Sequence, residues 1–158
     1  MSVRDFIQRN YRHFNAGALS DCIESIRTFI DDGGRLMITL AGAMSTAEIG
    51  KTLAPAIRSQ KVHAICCTGA NLEEDLFNLV ARSDYEIIPD WRNLSASDDL
   101  NLHERGLNRV TDVAIPEHEA IRYVEKQILD LWKDAEAAGD RRFPHEYIYD
   151  LLLHGELD

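Results

Sequence analysis

The chain has 158 residues, of which 45% are hydrophobic and 28% charged, and a formal net charge of -10 at pH 7. That length suits one domain at most. So acidic a chain repels phosphate backbones, which argues against nucleic acid as a partner and leaves cationic small molecules and basic proteins open; solubility alone also accounts for the charge.

No apolar run reaches the roughly 18 residues of a membrane span, and Met1-Ser2-Val3-Arg4-Asp5 carries no signal-peptide pattern. The cysteines are Cys22, Cys66 and Cys67. Neighbours on a strand point to opposite faces, so Cys66 and Cys67 are poorly placed to bridge each other. A reduced, cytoplasmic setting is expected.

Val3, Phe6, Ile7 and Phe14 predict a short amphipathic helix. Leu19, Cys22, Ile23, Ile26, Phe29 and Ile30 predict a second, stopped by Asp32-Gly33-Gly34. Residues 35–40 read as a buried strand. Ser45 and Glu48 have capping-box spacing, with Ile49, Leu53, Ala56 and Ile57 as an apolar face behind them. Pro55 should kink or shorten that helix. Residues 62–67 read as a second buried strand, followed by a helix capped by Asn71 and Glu74, with Leu72, Leu76, Leu79 and Val80 inward. Strand-helix-strand at this spacing predicts a parallel pair.

Residues 85–88 predict a short strand, 90–107 a polar connection with at least one helical turn, and 109–115 a further strand. Pro116 suits the first turn of a long helix with Ile121, Val124, Ile128 and Trp132 on one face, ended by Ala137-Ala138-Gly139-Asp140. Residues 143–153 predict a last helix. Its apolar stretch Tyr147–His154 needs cover, which suggests the first half of a larger α/β unit; a compact small domain or a homodimer is the alternative.

Two strand-to-helix corners carry the candidate chemistry. At Gly42-Ala43-Met44-Ser45-Thr46 small residues let a ligand approach the backbone, and Ser45 and Thr46 offer hydroxyl and N–H groups to a phosphate. Capping of the helix by Ser45 is the plainer explanation, because no G-x-G-x-x-G is present. At Thr68-Gly69-Ala70 a tight turn opens a helix, and Glu73, Glu74 and Asp75 follow. Acids in a first helical turn are favoured by the helix dipole alone; they also suit ammonium groups.

The histidines show no zinc spacing, and no nucleophile motif pairs with them. His63, His145 and His154 read as surface or capping residues, and Lys51 and Lys61 lack the desolvated setting of a nucleophilic lysine.

The runs Leu40-Ala41-Gly42-Ala43-Met44-Ser45-Thr46-Ala47-Glu48 and Cys66-Cys67-Thr68-Gly69-Ala70-Asn71-Leu72-Glu73-Glu74-Asp75-Leu76 together closely resemble the amino-terminal half of the deoxyhypusine synthases, above all a bacterial deoxyhypusine synthase-like, homospermidine-forming branch. Asn108-Arg109-Val110-Thr111-Asp112 and Phe143-Pro144-His145-Glu146-Tyr147 resemble the same branch. The resemblance covers nearly all of this chain but only the front of the family's pattern.

The resemblance implies an α/β fold: a Rossmann-like parallel sheet flanked by helices, incomplete here and completed by a carboxyl-terminal half. Residues 1–34 would be amino-terminal helices and 35–158 the first half of the NAD-binding domain. It implies NAD contacts at Gly42, Ala43, Met44, Ser45, Thr46, Thr68, Gly69 and Ala70. Glu73 and Glu74 would hold spermidine, Glu74 also lying near the nucleotide, with Asp75 structural.

The family's lysine matches neither Lys51 nor Lys61, so no catalytic residue is expected in this chain. Activity would need the carboxyl-terminal half as a second chain, in a homo- or hetero-oligomer of tetramer-like build. The implied reaction is NAD-dependent transfer of the aminobutyl group of spermidine to a lysine of translation initiation factor 5A, or to a diamine such as putrescine. The alternatives are a non-catalytic nucleotide- or polyamine-binding or regulatory module, and a structural dimerisation unit.

Overall fold

The computed structural model describes Met1–Gly155 and Leu157. Contacts divide the chain into two compact units: Met1–Ile38 with Leu53–Ile65, and Thr39–Thr52 with Cys66–Asp158. The chain is a mixed α/β protein with a two-stranded parallel sheet and a separate three-stranded antiparallel sheet.

In the first unit, α1 (Val3–Asn10) starts with a capping box. Ser2 Oγ accepts the Asp5 N–H at 3.1 Å, and Asp5 Oδ2 accepts the Ser2 N–H at 3.0 Å. The long helix α2 (Phe14–Asp31) ends as its glycines require: Gly33 has φ 87°, a left-handed conformation that costs glycine nothing. The apolar stripe Leu19, Ile23, Ile26 and Phe29 is exposed.

The parallel strands β1 (Met37–Thr39) and β2 (Ala64–Cys66) are shorter and far less covered than the sequence predicts. Met37 is 62% exposed and Ile65 40%. An apolar run becomes a buried strand only where layers pack on both faces. Helix α3 (Gly50–Arg58) contains Pro55 and ends three residues beyond it.

The second unit carries the core: Leu76, Phe77 and Ala81 of α4 (Gly69–Ala81), Val113 and Ile115, Ala120, Val124 and Leu151. The inward face of α4 differs from the predicted one. Phe77, Asn71 and Glu74 are buried, and Leu79 is 59% exposed.

The predicted strand over 109–115 is a hairpin. Strand β4 (Leu107–Val110) turns back at Thr111-Asp112 into β5 (Val113–Pro116), which also pairs antiparallel with β3 (Glu86–Ile87). The turn has no glycine; Thr111 takes the left-handed conformation, φ 58°, so the reversal is hidden in the sequence. The polar connection folds as α5 (Ala96–Glu104), capped by Ser95 and Asp98. Arg109 of β4 grips Asp99 of α5 with two bonds of 2.5 and 2.8 Å.

Pro116 closes β5 instead of opening the helix, and a π-helical turn, Glu117–Arg122, leads into α6 (Tyr123–Ala138). Gly139 then caps α6 with φ 69°. A Cβ at Gly139 would meet no atom within 4 Å, so only backbone strain opposes it. Gly139→Ala is expected to cost about 1 kcal/mol in urea unfolding. Helix α7 (Pro144–His154) buries Leu151 in the core and leaves Leu153 73% exposed.

Candidate functional site

The two corners meet within the second unit. The first is not a helix start: residues 42–49 form consecutive turns and α3 begins only at Gly50. Ser45 therefore caps nothing. Its hydroxyl donates to the Asn71 carbonyl at 2.7 Å, and both residues are buried. Glu48 does not close a box; it ion-pairs with Lys51 and with Arg82 Nε, the latter at 2.9 Å.

The second corner starts α4 one turn earlier than the sequence predicts, with Thr68 as N-cap. Asn71 is consequently inside the helix. Its Nδ2 donates to the Ala41 carbonyl at 2.8 Å and to Thr68 Oγ1 at 3.1 Å. The three acids fall in the second turn, so none stands in the first turn where the dipole acts most strongly. Apolar packing of α4 and the small residues at its start fix that register.

This places Glu73 and Glu74 differently. Glu74 is 7% exposed, and its Oε2 accepts the Thr46 N–H at 3.1 Å. It bridges the corners, and no cation pairs with it among the described residues. Asp75 is exposed on the next step; partial desolvation pushes its carboxyl up, the neighbouring Ser45 side chain holds it down, and the charge of Glu74 adds to the rise.

Glu73 borders a groove of about 260 Å³ between α4 and α6. The walls are Phe77, Ile121, Val124, Ile128 and Leu129, with Trp132 along the edge and Glu125 as a second carboxylate. Glu125 is paired with Arg122 at 2.7 Å, whereas among the described residues no cation pairs with Glu73. Partial desolvation, and then the charge of Glu74, raise the Glu73 carboxyl above its ordinary value. An apolar trough beside an unpaired carboxylate is suited to a molecule with a hydrocarbon body and a cationic end.

The corners also leave backbone open. A Cβ on Gly69 would meet nothing within 4 Å, and one on Gly42 only Thr68 Oγ1 at 3.8 Å. The Gly69 and Ala70 N–H groups, at the first positions of α4, precede any intrahelical acceptor. Ala43 and Met44 are half-buried, and Ala43 is left-handed at φ 62°. Thr46 Oγ1 is buried without a partner, as are Asn71 Oδ1 and Asn78 Oδ1.

The family model for deoxyhypusine synthase matches residues 7–152. The chain belongs to the deoxyhypusine synthase family. Comparison with curated proteins finds no match. Membership assigns an aminobutyltransferase-like function at family level. Among the described residues of this deoxyhypusine synthase-like protein, no helix is long and apolar enough to cross a membrane, and no cluster of three or more His, Cys, Asp or Glu could hold a metal.

Sequence reasoning missed Asn78 and Arg82 at the first corner and the part Trp132 plays at the groove. A signal for the first two was present: polar residues at 71, 74, 78 and 82 follow helical spacing within an apolar helix.

Proposed function

We propose that the chain is the NAD- and polyamine-handling part of a deoxyhypusine synthase-like aminobutyltransferase, acting on spermidine in the cytoplasm. The observation that carries this reading is Glu73, an unpaired carboxylate bordering an apolar groove. An ammonium end of the triamine would pair with Glu73 while its methylenes displace water from Phe77, Ile121 and Ile128. Trp132, 50% exposed at the same groove, is an aromatic ring of the kind that attracts a second ammonium group.

The residues present fit a dinucleotide unevenly. The open N–H groups of Gly69 and Ala70 suit a phosphate, and the bare Gly42 and Gly69 let it approach the backbone. The Ser45 hydroxyl and the Thr46 N–H are already committed to Asn71 and Glu74, so these two residues support the corner's shape. The chemistry that NAD supplies when bound is reversible oxidation beside an amine nitrogen. Holding the triamine in one register against that cofactor is the work of Glu73 and the groove walls.

The aminobutyl group would pass to a protein lysine, as in translation initiation factor 5A, or to a diamine. The exposed apolar residues of α7 and β1 support assembly with a second chain, carrying the family's lysine, in a homo- or hetero-oligomer.

Calorimetric titration of the chain with spermidine, with and without NAD, tests the reading. Saturable binding of both ligands, each tightening the other, is expected. Absence of spermidine binding at saturating NAD would refute it.

A further inference from the structure

One face of α4, continued by the turn after it, presents Asn71, Glu74, Asn78 and Arg82 at intervals of three, four and four residues. Each ties a different point of the first corner. Asn71 Nδ2 donates to the Ala41 carbonyl at 2.8 Å, and the Ser45 hydroxyl donates back to the Asn71 carbonyl at 2.7 Å. Glu74 accepts the Thr46 N–H at 3.1 Å. Asn78 Nδ2 donates to the Ser45 carbonyl at 2.9 Å, and Arg82 Nε donates to Glu48 Oε1 at 2.9 Å. The helix fastens the corner at Ala41, before the glycine, and again at Ser45, Thr46 and Glu48.

What is fastened is strained. Ala43 and Glu48 bracket the corner, both left-handed, with φ 62° and 58°. Residues with a Cβ seldom adopt that conformation, and it persists only where the surroundings over-determine it. Five cross-ties, reaching Ala41, Ser45, Thr46 and Glu48, supply that over-determination.

We propose that this polar stripe is a zipper that holds the strained corner in its ligand-ready shape, and that Asn78 and Arg82 are positioning residues for nucleotide binding. The nucleotide part rests on the reading that residues 42–46 and 68–70 form the NAD site. Neither Asn78 nor Arg82 needs to touch a ligand. They act through Ser45 and Glu48, whose positions set the backbone at Gly42 and Ala43. The partly exposed Arg82 holds the far end, and the half-buried Asn78 the middle.

Residue-resolved hydrogen exchange on the full chain tests this, paired with NAD titration. Among the described residues, the amides of Ala47, Glu48 and Ile49 bond to carbonyls within the corner and that of Thr46 to Glu74, so they report on the corner directly. In Asn78→Ala these four amides should exchange at least tenfold faster, while the β4–β5 hairpin amides keep wild-type rates. NAD affinity should fall at least fivefold.

Adding Ala43→Gly, which removes strain at one end, should restore part of the lost protection. Arg82→Ala, which trims an exposed side chain and leaves the buried Ala81 and the half-buried Tyr85 in place, guards against misfolding of the first variant; it should speed the Glu48 and Ile49 amides at least threefold. Unchanged corner amides in either variant overturn the zipper, as does equal acceleration of corner and hairpin in Asn78→Ala. If wild-type protein binds no NAD, the nucleotide role falls, and the exchange pattern alone decides the zipper.

Discussion

Leu76→Ala is expected to lower the unfolding free energy by about 2–5 kcal/mol, the range for emptying a fully buried leucine site. Leu76 is 2% exposed and packs in the cluster with Phe77, Val113, Ile115, Val124 and Leu151. The cost combines lost transfer free energy with an unfilled cavity, since strands and helices converging there cannot collapse onto a single missing side chain. The same helix carries Glu73 and Glu74, so weakened packing also loosens the site. Urea unfolding followed by circular dichroism measures the effect. A loss below about 1 kcal/mol would mean that α4 is not seated in the core as described.

The second large effect concerns binding. Glu73→Gln removes the carboxylate and keeps its size. A charge-assisted hydrogen bond contributes about 1.5–3 kcal/mol, and Glu73 is exposed, so the lower end applies. Spermidine affinity should fall roughly tenfold. The pH dependence follows from the raised carboxyl, lifted first by desolvation and then by Glu74. Cation binding needs the ionised form, so wild-type affinity is full above the raised value and weakens as pH falls through it.

Stability moves the opposite way. The contribution of Glu73 is greatest below its ordinary value of 4.5 and is lost as pH rises through the folded value. Glu73→Gln, lacking that loss, should be slightly more stable than wild type at neutral pH while binding triamine more weakly. Calorimetry across the acid range, paired with melting curves, reads both. Equal affinity in the two proteins at neutral pH would remove Glu73 from the polyamine site.

Much of the fold was legible where one physical signal dominates. The long helix α2, its glycine stop, and α6 with its Gly139 cap were written in period and capping chemistry. The parallel pairing of β1 and β2 followed from the helix between them. The β4–β5 hairpin was not legible, because Thr111 takes a left-handed turn without the glycine that usually announces one. The caps at Ser45 and Asn71 were misread for a related reason. Serine and asparagine bond equally well to distant backbone, and here their partners lie 26 and 30 residues away in the chain.

The sequence by itself determined the family, since the run from Thr68 to Leu76 and the segments matching it are carried in residue order. It also put Glu73 and Glu74 forward as candidate carboxylates. Only the tertiary structure decided their division of labour: Glu74 turns to the Thr46 N–H and Glu73 to an apolar groove. Adjacent helix positions point about 100° apart. Which of the two meets protein and which meets solvent depends on elements that approach α4 from far along the chain.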